Sequence, residues 1–229
     1  MINFKCLGTG SKGNCYLLKS EKETLILDCG IPIKKIKQGL DYNISNVVGV
    51  CVSHFHGDHM LALKDLENIG LRVLTPAKDE RVGKFLGKFY VDRFELPHNG
   101  TENYGFFIKI DGQTILYLTD FEYCKYRFDN LKPDHIFVEC NYQDKLVSRD
   151  LPHYEHKIKG HSSLDTCKGF VYANATDNLK TVILLHIGDE TCNPEECVED
   201  IKTVLDSSVI VDYARSGINI ELKDDKCLF

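Results

Sequence analysis

The 229-residue sequence has no apolar run long enough to cross a membrane, no CxxC pair and no excess of positive charge. Its longest apolar runs, Val47–Val52 and Val182–Leu185, fall far short of the roughly 18–20 residues that a membrane helix needs. The first five residues lack the features of a secretory signal. A net charge of −6 speaks against a broad basic surface clamped on a nucleic-acid duplex.

Cysteine is frequent, but the ten residues are irregularly spaced, unlike those of a disulfide scaffold. Several of them, including Cys51 and Cys140, lie in apolar runs typical of buried small hydrophobic residues. We therefore expect a reducing, cytoplasmic compartment. No repeat, linker or low-complexity segment is evident, so we predict a single domain over residues 1–229.

Strand and helix patterns alternate along the chain. The apolar run at 47–52 is rich in β-branched residues, which is typical of a strand buried on both faces. We predict further strands at 4–7, 15–18, 24–27, 72–74, 106–110, 114–118, 136–138, 181–185 and 209–211, and helices at 32–40, 58–69, 77–87, 163–174 and 194–206. This order predicts a layered α/β domain with mixed sheets.

The segment Ser53–His59 concentrates three histidines and one aspartate directly after the predicted strand at 47–52. In extended backbone, alternate side chains point the same way, so His54 and His56 are placed to bind one ion. Asp58 and His59 fall where the next helix begins and are predicted to face a second ion. Imidazole nitrogen and carboxylate oxygen are both metal ligands, and HxHxDH at a strand end is a specific pattern.

Three more metal-competent residues, His98, Asp120 and His186, each follow an apolar strand pattern. In open α/β sheets, sites assemble at the carboxyl ends of strands. We predict two ions, the first bound by His54, His56 and His98, the second by Asp58, His59 and His186, with Asp120 bridging both. Nitrogen and oxygen ligands suit Zn²⁺, with Mn²⁺ or Fe as alternatives. Such a pair of ions lowers the pKa of bound water to about 7.

These motifs resemble the metallo-β-lactamase fold, and within it the YycJ/WalJ-type group of small metallo-hydrolases described as exonuclease-like. The shared motifs lie at residues 8–14, 25–30, 119–120, 138–141, 160–163 and 185–190. The resemblance implies a four-layer αββα sandwich with two mixed β-sheets and a two-metal site at one edge of the sheets.

The family counterpart of His161 lies near the metals. We expect His161 to donate a proton to the leaving oxygen or to steady a phosphate, with a histidine bonded to a backbone carbonyl as the alternative. Asp28 is expected to hold a ligand imidazole or the loop after Val52, and Asn141 to line the pocket. Other histidines, His135, His153 and His156, are interpreted as surface residues. The basic stretch 78–93 is interpreted as an exposed amphipathic helix, with a nucleic-acid track as the alternative.

The function predicted from these residues is a phosphodiesterase or nuclease that cleaves DNA or RNA by attack of a metal-bound hydroxide, with Asp58 and His161 as catalytic residues. A cyclic-nucleotide phosphodiesterase is one alternative. Hydrolysis of a lactone, thioester or β-lactam is another, and a metal-binding protein without catalysis is a third. We expect a phosphodiester substrate, either a nucleic-acid end or a cyclic nucleotide, and no membrane partner; a homodimer stays open.

Overall fold

The computed structural model describes residues 1–76 and 83–224. The chain divides into two compact units. The first contains Met1–Arg93, Ile108–Gln113 and Arg215–Phe229, and the second contains Phe94–Phe107 and Thr114–Ala214. The expectation of a single domain stays a prediction. None of the helices in the described part of the chain has the length and apolar character needed to span a bilayer.

The described residues form thirteen strands, six α-helices and three short 3₁₀-helices. The strands are β1 (Ile2–Gly8), β2 (Cys15–Lys19), β3 (Thr24–Leu27), β4 (Val47–Cys51), β5 (Val73–Leu74), β6 (Lys84–Leu86), β7 (Phe89–His98), β8 (Thr101–Ile110), β9 (Gln113–Leu118), β10 (His135–Glu139), β11 (Thr181–Leu185), β12 (Ile210–Tyr213) and β13 (Asn219–Leu222). The helices are α1 (Ile33–Gly39), α2 (Gly57–Met60), α3 (Leu63–Asn68), α4 (Tyr154–Gly160), α5 (Leu164–Asn174) and α6 (Pro194–Lys202).

The first sheet has the strand order β13-β1-β2-β3-β4-β5. The pairs β13–β1, β1–β2 and β2–β3 are antiparallel, and the pairs β3–β4 and β4–β5 are parallel. Ile26 and Val50 from its centre share a buried apolar cluster with Ile36 of α1 and Leu66 of α3. Because β3 and β4 are parallel neighbours, the residues that follow them, from Asp28 and from Val52, emerge at the same edge of this sheet.

The second sheet has the order β12-β11-β10-β9-β8-β7-β6. Strands β9 to β12 are parallel, whereas β6 and β7 are antiparallel. Every residue of β10 and β11 is buried, which explains their continuous apolar sequences. The prediction of an α/β fold with two mixed β-sheets is confirmed.

The stretch from 77 to 98 corrects one prediction. Residues 77–82 of the predicted helix lie outside the described residues, but Lys84–Leu86 form β6, so the helix is wrong there. The basic stretch continues into β7, where Phe89 and Val91 are buried on alternate positions, the pattern of a strand rather than a helix.

The prediction that His135 is a surface residue is also wrong, since it begins the buried strand β10. His153 and His156 are exposed as expected.

Candidate metal centre

In the first unit, the residues after β3 and β4 form a histidine cluster, which we call the first cluster (Asp28, His54, His56, Asp58 and His59). The backbone N–H of Asp28 donates to the carbonyl of Cys51 at 2.8 Å, which ties the two strand ends together. The chain then reaches His56, the N-cap of α2, whose backbone is extended. Helix α2 carries Asp58 and His59 in its single turn.

Asp28 is completely buried and contacts both Ser53 and His59. Its Oδ2 lies 2.8 Å from Nδ1 of His59, and its Oδ1 accepts the backbone N–H of Ser53 at 2.8 Å. The Ser53 hydroxyl donates to Asp28 and lies 3.0 Å from Nδ1 of His54. Donation from Nδ1 places the lone pair of both imidazoles on Nε2, the arrangement by which carboxylates orient metal-bound histidines.

Two ring nitrogens of the first cluster converge. Nε2 of His54 lies 3.0 Å from Nδ1 of His56. Two nitrogens at this separation fit one ion as common ligands, because Zn–N bonds are about 2.0–2.1 Å long. Asp58 is partly exposed, and its Oδ2 is 3.6 Å from Nε2 of His59. The donor set of this cluster therefore fits a divalent metal ion.

Gly30 allows the α2 turn to approach β3 closely. A Cβ at this position would overlap the carbonyl of Asp58 and the backbone nitrogen of His59. Asn14 holds the same turn from a second direction, donating its backbone N–H to the Asp58 carbonyl at 2.7 Å. Its side-chain amide lies 2.9 Å from Nε2 of His59. The Gly-rich loop after β1 and the Asp28–Gly30 motif therefore position Asp58 and His59.

In the second unit, the ends of three neighbouring parallel strands bring together what we call the second cluster (Asp120, Glu139, His161 and His186). Asp120 follows β9, Glu139 ends β10, and His186 follows β11. His161 is the C-cap of α4 and precedes α5. One ligand atom from each of the four residues lies within 4.8 Å of the others.

The contacts within the second cluster are short. Nδ1 of His186 lies 2.8 Å from Oδ1 of Asp120 and 3.0 Å from Oε1 of Glu139. The same Glu139 oxygen is 2.7 Å from Nδ1 of His161. The other Glu139 oxygen accepts the backbone N–H groups of Phe121 and Ser162, each at 3.0 Å. Glu139 therefore connects two histidines and two backbone segments.

The electrostatics of the second cluster favour a cation. Burial opposes protonation of His186, but attraction to Asp120 and Glu139 outweighs it and raises the pKa of His186 to about 10. Burial also opposes ionisation of Glu139, yet the nearby His161 and hydrogen bonds from both histidines lower its pKa. Two buried carboxylates that hold a protonated imidazole at neutral pH form a site where a divalent ion can take the place of the proton.

His98 ends β7 in the second unit and is almost fully buried. Its Nδ1 donates to the carbonyl of Gly160, which places the lone pair on Nε2. Burial lowers the pKa of His98 and keeps the ring neutral, as a metal ligand must be. The ring centroids of His98 and His161 are 5.5 Å apart.

Three of the cluster residues have left-handed backbone, which is rare for residues other than glycine. The φ angles are 55° for Asp28, 51° for Asp120 and 47° for His186. Each residue directly or closely follows a buried strand. Such conformations cost about 1–3 kcal/mol each and persist mainly at functional sites, where the surrounding structure enforces them.

The structure thus groups Asp28 with His54, His56, Asp58 and His59, and groups His98, Asp120, His161 and His186 in the other unit. Asn141 lies beside the second cluster, where its amide donates to the His186 carbonyl at 2.9 Å and accepts from Lys157 at 2.7 Å. Sequence reasoning did not assign Glu139 a role. An acidic residue at the end of the apolar run 136–138 carries the same signal that identified Asp120.

Comparison with known proteins adds a family assignment. Residues 8–125 match the model of the metallo-beta-lactamase superfamily. The sequence is 23% identical over 219 residues to the exodeoxyribonuclease YycJ of Bacillus anthracis, covering 81% of this chain and 82% of that protein.

Solved structures share the fold. The metallo-beta-lactamase fold protein YhfI from Bacillus subtilis aligns with a TM-score of 0.72 at 19% identity, covering 96% of this chain and 98% of that one. A diphosphatase of the PhnP family aligns with a TM-score of 0.68 at 16% identity, covering 97% and 98%. The short form of human tRNase Z aligns with a TM-score of 0.62 at 16% identity, covering 97% and 100%.

Proposed function

The chain belongs to the metallo-beta-lactamase superfamily, and from this membership we propose that it is a two-metal hydrolase of phosphodiesters in nucleic acid. The proposed ligands are His54, His56 and His98 for one ion and Asp58, His59 and His186 for the other, with Asp120 shared. Zn²⁺ is the proposed ion, with Mn²⁺ or Fe as alternatives. When bound, such a pair of ions lowers the pKa of coordinated water toward neutrality and offsets the negative charge of a phosphate.

His161 is the proposed proton donor. Its Nδ1 is held by Glu139 at 2.7 Å and its side chain is about one-eighth exposed, so the ring is oriented yet reachable. As the P–O bond breaks, Nε2 of His161 gives its proton to the leaving oxygen, and Glu139 stabilises the imidazolium beforehand. Asp58, the other proposed catalytic residue, acts through its carboxylate as a ligand.

The pairing of His161 with Glu139 is the observation that carries the phosphodiester assignment. A nucleotide leaving group is a poorly acidic alcohol that needs a proton from the protein, whereas the leaving group of a thioester or of an activated ester departs as a stable anion and makes a smaller demand. The similarity to an exodeoxyribonuclease over 81% of the chain supports the same assignment.

A groove in the second unit supports nucleic acid rather than a mononucleotide as the substrate. Arg149, His153, Tyr154 and Lys159 line it, together with Asn99, which directly follows His98, and Glu155, which lies 3.8 Å from Lys159. Basic side chains attract a phosphate backbone, and a tyrosine offers a face on which a base can stack. The groove thus combines both kinds of contact next to one of the proposed ligands.

The decisive experiment compares substrates for one zinc- or manganese-loaded preparation. We expect cleavage of a labelled single-stranded oligonucleotide and of bis-p-nitrophenyl phosphate, with both activities lost in Asp120→Ala. Faster turnover of 3′,5′-cyclic nucleotides than of oligonucleotides would assign a cyclic-nucleotide phosphodiesterase instead. Turnover of a lactone or nitrocefin without phosphodiester cleavage would assign an acyl hydrolase.

Variants of the groove separate polymer binding from chemistry. Arg149→Ala and Lys159→Ala should each raise KM for the oligonucleotide. Each should also reduce the slope of log KM against the logarithm of the salt concentration by about 0.7. Turnover of bis-p-nitrophenyl phosphate should not change. Lys202→Ala removes an exposed lysine on α6, which pairs with Glu199, and serves as the control. Equal effects of all three variants would exclude the groove as the nucleic-acid site.

A further inference from the structure

Four buried cysteines of the second unit form a group that the proposed function does not use; we call it the cysteine cluster (Cys140, Cys167, Cys192 and Cys197). The sulfur atoms of Cys140, Cys192 and Cys197 all lie within 4.8 Å of one another. Those of Cys192 and Cys197 are 3.0 Å apart. Cys167 is also completely buried and lies on α5, the helix that packs against β10 and α6. All four residues are less than one-tenth exposed.

The cluster joins elements that are distant in sequence. Cys140 directly follows β10, Cys167 lies in the first turn of α5, and Cys192 and Cys197 flank the start of α6. Helix α5 packs against both α6 and β10. The backbone also meets here, because the Cys140 N–H donates to the Leu185 carbonyl at 3.0 Å. A crosslink at this point would fix two helices to the end of the strand that carries Glu139.

The spacing and chemistry of the thiols match a structural zinc site. Cys192 and Cys197 are separated by four residues, within the C-x₂₋₄-C range of such sites. The turn between them is preformed, since Asn193 caps α6 by accepting the Glu196 N–H and Pro194 occupies its first position. Zn–S bonds of about 2.3 Å in a tetrahedron place sulfurs a little under 4 Å apart. The three thiols lie within 4.8 Å of one another, and Cys192 and Cys197, which are 3.0 Å apart, would have to separate by roughly 1 Å to bind the ion.

Buried thiols alone explain this arrangement less well. Isolated buried cysteines act as small hydrophobic residues and pack against apolar groups. Those of the first unit, such as Cys51, lie among β-strand side chains in this manner. In the cysteine cluster, three sulfurs instead lie within 4.8 Å of one another, one from the end of β10 and two from the turn that begins α6.

We propose that the cysteine cluster binds one Zn²⁺ ion, with Cys140, Cys192 and Cys197 as ligands and Cys167 as the fourth. Binding exchanges the thiol protons for the ion, so up to four protons are released. The ion would act as a structural crosslink between α5, α6 and β10. Its thiolate ligands distinguish it chemically from the nitrogen- and oxygen-ligated ions of the proposed catalytic centre.

Cobalt substitution tests the proposal independently of catalysis. Reduced protein is stripped with a chelator and titrated with Co²⁺, and the absorption spectrum is recorded. Thiolate ligation gives an intense sulfur-to-cobalt charge-transfer band in the near ultraviolet, which histidine and carboxylate ligands cannot produce. We expect this band at one equivalent of Co²⁺, and its loss on addition of Zn²⁺.

Variants assign the band to particular thiols. Cys192→Ala and Cys197→Ala should abolish it, whereas Cys51→Ala and Cys124→Ala, cysteines outside the cluster, should leave it intact. If the cluster variants fail to fold, the wild-type titration still decides. Absence of the band in reduced wild-type protein overturns the proposal, as does its persistence in both cluster variants. The proposal is also overturned if protein purified under reducing conditions contains no zinc and has an intact mass two hydrogens lower, with a disulfide between Cys192 and Cys197. Phosphodiesterase activity does not enter these readouts, so failure of the proposed function leaves them unaffected.

Discussion

Replacing Asp28 with asparagine isolates the positioning of the first cluster from its ligands. The substitution keeps the size of the side chain and leaves one oxygen to accept the Ser53 N–H, which in the wild type lies 2.8 Å from Oδ1. The other oxygen, Oδ2, which in the wild type lies 2.8 Å from Nδ1 of His59, becomes an NH₂ group that faces the same nitrogen. Two donors cannot share that contact, so the imidazole must shift its proton to Nε2. The proposed ligand nitrogen of His59 then loses its lone pair.

The expected size of the effect follows from this contact. Loss of an outer-shell partner of a metal-bound histidine costs about 10–100-fold in metal affinity, or about 1.4–2.8 kcal/mol. The charged hydrogen bond removed with it is worth roughly 1.5–3 kcal/mol of folding stability. Asp28→Asn should therefore remain folded but need 10–100-fold more free zinc for half-maximal phosphodiesterase activity. Turnover at saturating zinc should fall much less.

Activity measured in zinc buffers of graded free concentration provides the assay. Asp134→Asn is the matched control, because Asp134 is a buried aspartate that accepts the Thr114 N–H at 2.8 Å and pairs with Lys180 at 2.8 Å. It precedes β10 and lies at the amino end of that strand. An unchanged zinc requirement in Asp28→Asn, or an equal change in Asp134→Asn, would refute the reasoning.

Three further predictions follow from the two clusters. His161→Asn should reduce turnover of a diester with a poor alcohol leaving group by about 100-fold or more while metal content is retained; an equal loss with p-nitrophenyl esters would contradict the role as proton donor. Gly30→Ala should destabilise the protein by about 1–3 kcal/mol, because the new Cβ overlaps the Asp58 carbonyl, whereas Gly169→Ala, in α5 with open space around it, should be neutral or stabilising by thermal unfolding. In chelator-treated protein, the pKa of His186 is about 10, against roughly 6.5 in the unfolded chain. Protonation of His186 therefore contributes stability that is complete below pH 6.5 and is lost as pH rises toward 10. The free energy of unfolding should fall by up to about 1.4 kcal/mol per pH unit in this range, and this dependence should be absent in His186→Gln.

The histidines and Asp58 of the first cluster were predictable because they are close in sequence. HxHxDH follows the apolar run that forms β4, and α2 begins at Gly57. The single residues Asp120 and His186 were also predictable, because each follows a buried parallel strand of recognisable sequence. Strand ends and metal-competent residues are both visible without coordinates.

Other features depend on pairing that the sequence does not display. Strand β7 mixes buried and half-exposed residues, so its basic amino-terminal part resembled an amphipathic helix. Glu139 gained its role only when two histidines and two backbone N–H groups were brought to it. The cysteine cluster likewise joins the local pair Cys192 and Cys197 to Cys140, which is distant in sequence and follows a different strand.

The proposed function requires the histidines of the first cluster and Asp120 to bind the same pair of ions. Native mass spectrometry of zinc-loaded protein, counting ions per chain in wild type, His56→Ala and Asp120→Ala, tests it directly. Beyond any thiolate-bound ion, we predict two zinc ions in the wild type and the loss of at least one in each variant. A wild-type chain without these two ions, or variants that keep the full count, would contradict the account.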